Sequence, residues 1–169
     1  AEAKTLAVRV AQDSQATTPG DWTVLRVQGS PSAVVTVTEG RTTDGEAAPF
    51  YRSGKASISA ALPVGYPAPT APGTVELKRY GQVRQARITT SGDEGDAFWP
   101  LFRHISDQEI SMTGPVVMSG NLAGEPQTEG SMAFLYRNTE VGTLGGTSRD
   151  VVVEDVTPAF VLSVGFLGE

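Results

Sequence analysis

The chain has 169 residues and a formal net charge of −6, with 39% hydrophobic and 19% charged residues. This composition is typical of a globular protein whose core needs neither a metal nor a disulfide. The negative charge disfavours docking along a phosphate backbone, so we expect no nucleic-acid partner. A single histidine and no cysteine exclude, within one chain, a Cys/His zinc site, an iron–sulfur site and a two-histidine metal centre.

The sequence also bears on membranes and compartment. Its longest apolar run, AFVLSVGFLG at 159–168, is much shorter than the roughly 20 residues of a membrane-spanning helix, so we expect no membrane span. The first residues, AEAK, are compatible with the stub of a cleaved signal peptide and so with a secreted or periplasmic location. They do not establish the compartment, which stays unknown at this point.

The N-terminal part of the chain has the composition of β-structure. Short runs rich in Val, Thr and Ile predict four strands, which are TLAVRVAQ (5–12), DWTVLRVQG (21–29), SAVVTVTEG (32–40) and KASISAAL (55–62). The segment LPVGYPAPTAPG (62–73) contains too many prolines for a central strand or a helix, which predicts an extended connector. We therefore divide the chain into a β-rich region, 1–73, and a second domain, 74–169.

The second domain opens with a strand pattern and an acidic segment. TVELKRYGQVRQARITT (74–90) alternates apolar and polar residues around Tyr80 and Gly81, which predicts either a strand-turn-strand or one bent strand. The acidic residues of SGDEGD (91–96) precede an apolar-periodic run, where carboxylates favour a helix N-terminus. Their spacing lacks the alternating ligands of an EF-hand, so we favour a helix start over a calcium loop.

The next segment predicts one short helix, over about 97–106. Its start is placed by Pro100, because a proline is tolerated in the first helical turn. At 3.6 residues per turn, one face carries Phe98, Leu101, Phe102 and Ile105. Trp99 and His104 fall on opposite flanks of that face, so we expect His104 to be an edge residue.

The C-terminal part predicts further strands and an internal repeat. EISMTGPVVM (109–118) and SMAFLYR (131–137) read as strands on either side of a loop, and VVVEDVTPAFVLSVGF (151–166) as a strand-turn-strand. A shift of about 76 residues sets this last segment on 75–90 with the apolar alternation preserved. A complete repeat predicts a second helix after residue 169.

Five motifs follow one another in the second domain, namely VELKRYGQVRQARI, AFWPLFRHI, ISMTGPVVM, MAFLYR and SVGFLG. In this order residues 74–169 resemble the SOUL haem-binding protein family, and Met112-Thr113-Gly114-Pro115-Val116 is the most specific part. The resemblance implies an α+β fold, a curved antiparallel sheet or distorted barrel with few short helices, here preceded by the β-rich region. It implies two related β-α-β-β halves, of which the second is incomplete in this chain.

The resemblance further implies a non-enzymatic protein that binds haem or a related tetrapyrrole. Its candidate contacts are His104 as a conditional axial ligand, with Phe98, Leu101, Met112, Met118, Tyr80 and Arg79 lining the slot. Arg84, Arg87 and Arg103 are further candidates for carboxylate groups. His104 stands where many family members have tyrosine, so no ligand role is carried over to it. For every one of these residues a core, turn or edge position is the alternative explanation.

Two other functions stay open. Unpaired strand edges suit a protein-interaction or structural half-domain without a cofactor, completed by a second chain as a homodimer or by a C-terminal fragment. Fold analogy alone suggests a sensor of another small apolar ligand. We expect no enzymatic activity, because the sequence contains no G-x-S-x-G, G-x-x-x-x-G-K-(S/T) or H-E-x-x-H motif.

Overall fold

The computed structural model describes residues 24–28, 36–41, 45, 47–53, 56–58, 60–90, 94–120, 130–146 and 150–166. This part of the chain contains one helix and eleven strands, which pair antiparallel in three open sheets. The predicted sheet-rich α+β fold is thereby confirmed, while the described strands form no closed barrel. The predicted strand at 5–12 and most of the loop before SMAFLYR lie outside the described residues.

The first sheet lies within the N-terminal region. It has the order β2-β3-β4 and consists of β2 (Thr36–Arg41), β3 (Ala47–Ser53) and β4 (Ala56–Ile58). β4 falls within a predicted strand, and β2 does so except for its last residue, Arg41. The central strand, β3, was not predicted, because Pro49 in its middle disfavours a strand; Pro49 lies opposite Glu39 of β2.

Two further sheets share the rest of the strands. The three-stranded sheet has the order β1-β5-β11, with β1 (Val24–Gln28), β5 (Val75–Tyr80) and β11 (Ala159–Val164). The five-stranded sheet has the order β7-β8-β6-β10-β9, with β7 (Val116–Ser119), β8 (Gly130–Leu135), β6 (Val83–Thr90), β10 (Val152–Val156) and β9 (Gly145–Gly146).

One ribbon of two bent strands joins these two sheets. β5 continues into β6 through Gly81 and Gln82, and β10 continues into β11 through two residues as well. The register runs through the bend without a shift, since Tyr80 lies opposite Ala159 and Val83 lies opposite Val156. The bent-strand alternative is therefore right, and a hairpin is wrong for both segments, which pair with each other and not with themselves. We call this pair of strands the bent ribbon.

The helix, α1 (Glu94–Asp107), is longer than predicted. Pro100 lies in its second turn and not in its first, so the placement of the helix start by Pro100 was wrong. A proline at this position removes the backbone bond to the carbonyl of Asp96. The helix extends through it because tertiary packing of an apolar face, and not local propensity, supplies most helix stability in proteins.

The helix ends in a Schellman motif. The amide of Ile110 donates to the carbonyl of Ile105 at 2.8 Å, and the amide of Glu109 donates to the carbonyl of Ser106 at 3.2 Å. Glu109 has a φ of 54°, the left-handed conformation that glycine usually supplies at this position. Ile110 then packs against the core, which fixes the direction in which the chain leaves α1.

The core lies between α1 and one face of the five-stranded sheet. It is formed by Ala97, Leu101 and Ile105 of α1 with Ala86, Ile88, Met132, Phe134, Tyr136, Val151 and Val153. Leu101 is fully buried there, so the core explanation applies to this candidate contact residue. Burying an aliphatic side chain of this size stabilises the fold by about 1.5–3 kcal/mol.

The proline-rich connector contains a turn, in which the amide of Tyr66 donates to the carbonyl of Pro63 at 3.0 Å, so it is not extended throughout as predicted, and it is packed against the sheets. Leu62, Pro67 and Ala71 are buried. The amide of Val64 donates to the carbonyl of Arg137 at 2.8 Å, and the Arg137 guanidinium donates back to the carbonyl of Leu62. The connector therefore forms part of the packed structure, while the division of the chain at residue 73 stays a prediction.

β5 buries its charged residues. Lys78 and Glu76 share one face of the strand, both are buried, and Lys78 Nζ lies 3.4 Å from Glu76 Oε2. Lys78 Nζ also donates to the carbonyl of Ala68 in the connector at 2.5 Å. Burial lowers the pKa of Lys78, and the neighbouring Glu76 carboxylate opposes this shift. The half-buried Val75 and Leu77 consequently lie on the opposite face of the sheet.

Candidate functional site

Three aromatic rings contact one another on the outer side of α1. The rings of Phe98 and Phe102 stack with centroids 6.0 Å apart, and Trp99 meets Phe98 edge-on at 5.4 Å and Phe102 edge-on at 6.1 Å. Trp99 is 65% exposed and Phe102 is 40% exposed, whereas Phe98 is half-buried. Phe102 is therefore exposed at the margin of the helix face that it was predicted to share with Leu101 and Ile105. We call Phe98, Trp99 and Phe102 the aromatic patch.

The edge strand β7 exposes apolar residues on the face of the five-stranded sheet that carries α1. Val116 lies opposite Phe134 of β8, and Met118 lies opposite Met132. Residues directly opposite each other on antiparallel strands share a face. Phe134 and Met132 belong to the core beneath α1, so the exposed side chains of Val116 and Met118 lie on the face that carries the helix. We call the aromatic patch with Val116 and Met118 the α1–β7 surface.

His104 is buried, so the prediction of an edge residue was wrong. His104 is only 7% exposed, and its Nε2 shares a hydrogen bond with the hydroxyl of Tyr136 at 2.8 Å. The buried face of α1 is centred on Ala97, Leu101 and Ile105, which brings His104 inside its margin. The Tyr136 hydroxyl supplies the partner that makes burial of the imidazole tolerable.

Tyr136 is itself fixed by its surroundings. Its amide donates to the carbonyl of Arg84 at 2.9 Å, which anchors the residue just beyond β8. Gly142 lies against the ring, since a Cβ on Gly142 would be 2.5 Å from Tyr136 Cε2. Burial raises the pKa of Tyr136 to about 12, against the opposing effect of Arg84. The hydroxyl is therefore neutral at physiological pH and holds His104 as a hydrogen-bond partner.

Two arginines of β6 pair with carboxylates of β10. Arg84 binds Asp155 through Nε at 2.7 Å and Nη2 at 3.0 Å, a bidentate pair that lowers the pKa of Asp155. Arg87 Nε donates to Glu154 Oε1 at 2.7 Å and lowers the pKa of Glu154. Both guanidinium groups are therefore already paired with carboxylates within the bent ribbon. Arg103, by contrast, is exposed on α1, one helical turn after Trp99.

Tyr80 and Arg79 are not brought together with the other candidates. Both lie on β5 in the three-stranded sheet, where neighbouring residues point to opposite faces. The Tyr80 ring meets Tyr66 of the connector edge-on at 5.0 Å, and Arg79 lies opposite Phe160 of β11. Burial raises the pKa of Tyr80. Of the predicted contacts, the half-buried Phe98 and the exposed Met118 lie on the face of the sheet that carries α1, while Met112 is exposed ahead of β7.

Three residues of the α1–β7 surface were not predicted contacts, namely Trp99, Phe102 and Val116. Trp99 had been placed on a flank of the helix, and its neighbours Phe98 and Phe102 were the available signal for an aromatic patch. Tyr136 is the last of the alternating residues of MAFLYR that face the core. Its contact with His104, however, joins residues that lie far apart in sequence. No local pattern contains that pairing.

Within the ranges that the structure describes, no group of three or more His, Asp or Glu side chains is arranged to hold a metal ion. No described helix has both the length and the apolar composition to cross a membrane.

Comparison with protein-family models, with curated proteins and with solved structures gives no match. The resemblance of residues 74–169 to the SOUL family therefore stays a prediction. We infer function from the geometry of the molecule.

Proposed function

We propose that the protein binds a planar apolar ligand, such as haem or a related tetrapyrrole, on the α1–β7 surface. The proposal depends on one observation, the exposure of Trp99 and Phe102 although both belong to a cluster of contacting rings. Exposed apolar area costs about 25 cal/mol per Å² relative to burial, and contiguous exposed patches are typical of binding sites. A flat macrocycle matches such a patch in shape and polarity.

The residues present fit the chemical groups of a haem. Aromatic faces suit stacking on a macrocycle, and the thioether of Met118 is a soft donor of the kind that binds haem iron. Arg103 offers a cation for a carboxylate group one turn from Trp99. In this proposal Trp99 and Phe102 of α1 stack on the macrocycle, Met118 of β7 supplies the thioether, and Arg103 of α1 supplies the cation.

The proposal gives His104 a positioning role and not axial ligation. Its Nε2 is hydrogen-bonded to Tyr136 and its ring is buried, so binding of iron at Nε2 requires that this bond break. Instead, the pair joins α1 to the end of β8 and so supports the aromatic patch from below. Iron binding by His104, a conditional candidate in the sequence, therefore has no part in this proposal.

Titration of hemin into the purified protein, followed by Soret absorbance, tests the proposal. We expect saturation near one hemin per chain, and Trp99→Ala to weaken binding by about tenfold, because loss of an aromatic contact costs about 1 kcal/mol or more. Met118→Ala is expected to shift the Soret band, while His104→Gln preserves it. Phe160→Ala is the matched control, since Phe160 is an equally exposed aromatic on another sheet.

Linear, unsaturable uptake that is the same in the wild type and Trp99→Ala would contradict the proposal. Saturable binding that Phe160→Ala abolishes and Trp99→Ala does not would move the site to the three-stranded sheet. A second candidate function, protein interaction, is favoured by the exposed apolar residues of β11.

A further inference from the structure

β11 presents an apolar stripe that no described residue covers. Phe160, Leu162 and Val164 alternate along the strand and so share one face, with Leu162 53% and Val164 57% exposed. Leu162 lies opposite Leu77 of β5, and Val164 lies opposite Val75. We call these five residues the ribbon face, because together they form one side of the bent ribbon in the three-stranded sheet.

The polarity of this sheet is inverted. Its other face buries Glu76 and Lys78, while the ribbon face leaves aliphatic and aromatic side chains in contact with solvent. The half-buried Arg79, opposite Phe160, is the charged residue of β5 on the ribbon face and lies at its end next to the bend. An antiparallel sheet with one solvated face normally shows the opposite arrangement, with apolar residues inside and charged residues outside. Exposed apolar surface of this kind is typical of a docking site.

The internal repeat shows what kind of element covers such a face. A shift of 76 residues places Ala86 on Leu162, and the same shift places Leu77 on Val153. Ala86 lies directly opposite Val153, just as Leu162 lies directly opposite Leu77. We call β6 with β10 the first arm of the bent ribbon and β5 with β11 the second arm. The two pairs occupy equivalent positions on these arms, and the bends coincide under the same shift.

Only one of the equivalent pairs is covered. Ala86 is fully buried and Val153 is buried, both within the core that α1 closes with Ala97, Leu101 and Ile105. On the other arm, Leu162 is more than half exposed. A helix therefore already packs against this ribbon at one of two equivalent places, and the described chain supplies no helix at the second.

We propose that the ribbon face is a docking site for an amphipathic helix of a partner polypeptide, which packs there as α1 packs on the other arm. The partner's apolar stripe has the i, i+4, i+8 spacing of Ala97, Leu101 and Ile105. The partner helix carries a small residue opposite Leu162. The reason is that leucine is larger than the alanine at the equivalent position, Ala86, and so leaves less space beneath a helix than Ala86 leaves beneath α1. An aliphatic helix, and not an extended strand or a planar ligand, is thus the occupant.

Charge supports docking here. Ala159–Val164 contains no charged residue, although the whole chain has a net charge of −6. Within the described residues, β11 pairs only with β5, whereas β6 at the equivalent position pairs with both β10 and β8. The second arm is consistently less covered than the first.

A labelled peptide with the sequence of residues 94–107, held helical by a side-chain lactam between exposed positions, is the probe. It carries the stripe that packs on the first arm. Fluorescence anisotropy with the full chain is expected to show saturable binding, and Leu162→Lys to weaken it by about tenfold or more, because a charge then replaces buried apolar surface. Val37→Lys, an equally exposed valine on β2, is the matched control and is expected to bind as the wild type does.

Circular dichroism of Leu162→Lys checks that the variant is folded, as expected for a residue more than half exposed. Absence of saturable binding up to about 1 mM peptide, the weak end of specific association, would overturn the proposal. So would equal binding by Leu162→Lys. Sedimentation that shows a wild-type dimer lost in Leu162→Lys would assign the face to a second copy of the chain and would overturn the helix as occupant. Trp99→Ala is expected to bind the peptide normally, so this result is independent of hemin binding.

Discussion

The imidazole of His104 and the hydroxyl of Tyr136 meet at 2.8 Å inside the core, where they join α1 to the end of β8. A hydrogen bond between buried side chains has a modest net value, but removal of one partner leaves the other with its full desolvation cost. The pair therefore matters for stability mainly because, if either partner were removed, the other would stay buried without a hydrogen bond.

Tyr136→Phe tests that penalty. We expect a loss of about 1–3 kcal/mol in the free energy of unfolding, since the variant removes the hydroxyl that Nε2 of His104 contacts and leaves the volume nearly unchanged. Urea denaturation measures it. Tyr51→Phe, which removes a hydroxyl from a half-buried tyrosine of β3, is the control and is expected to change stability less. Equal losses in the two variants would show that the His104 contact has no special value.

Gly142 and Gly73 have nearly the same backbone conformation but different surroundings, so together they separate backbone strain from side-chain overpacking. They have φ values of +72° and +73°, but an added Cβ would be 2.5 Å from the Tyr136 ring at Gly142 and would contact nothing within 4 Å at Gly73. Alanine at either position pays about 1–2 kcal/mol for the left-handed backbone. We expect Gly142→Ala to lose about 1–3 kcal/mol more, the usual cost of overpacking. Thermal unfolding of both variants gives the difference, and equal melting temperatures would contradict the close packing at Tyr136.

The helix end predicts a stabilising substitution. Glu109 adopts the left-handed conformation of the Schellman motif, so Glu109→Gly is expected to raise the free energy of unfolding by about 1 kcal/mol. Glu140→Gly is the control, an exposed glutamate whose φ is not positive, where glycine is expected to be neutral or destabilising. Chemical denaturation distinguishes the two. A destabilised Glu109→Gly would mean that the Glu109 side chain has a role that outweighs its backbone strain.

The carboxylates of β10 predict the response to acid. Arg84 lowers the pKa of Asp155 from 3.8, and Arg87 lowers the pKa of Glu154 from 4.5. Because the folded-state pKa values are depressed, the unfolded chain takes up these protons first. The stabilisation is thus complete above the unfolded pKa values and is lost as pH falls through the folded ones.

We accordingly expect the melting temperature to fall as pH decreases below about 4.5, the upper unfolded pKa. Asp155→Asn is expected to flatten part of this decrease, whereas Glu140→Gln, a substitution of an exposed loop carboxylate, preserves its shape. Calorimetry from pH 3 to pH 6 makes the comparison. An Asp155→Asn profile parallel to that of the wild type would contradict a contribution of the Arg84–Asp155 pair to folding.

The helix shows how far the sequence leads. Its existence, its acidic start and the burial of Leu101 and Ile105 follow from local periodicity. Its rotation does not, because large apolar residues suggest a face centred on Phe98 and Phe102. The structure instead buries Ala97 and His104, the first because it is small enough to lie close to the sheet. His104 is buried because Tyr136, distant in sequence, meets its polar requirement.

The strands divide in the same way. Alternation predicted two strand segments within 74–90 and their likeness to 151–166, since both are local properties, but it left open whether a turn or a bend joins the segments of 74–90. That these segments pair with each other depends on long-range register, which alternation alone does not contain. β3 was missed for the converse reason, because Pro49 disfavours a strand locally while its neighbours on both sides supply the pairing.

The bends of the ribbon lie face to face, with Gly81 and Gln82 across from Thr157 and Pro158, two residues on each side between matched pairs. One extra residue in only one of the two bends would shift that strand by one residue against its partner, so that paired residues beyond the bend would no longer share a face. The two bends must therefore keep equal lengths, and we expect related chains to show insertions or deletions there only in matched pairs. For the same reason both bends are poor sites for grafting a tag, however exposed Thr157 and Pro158 are.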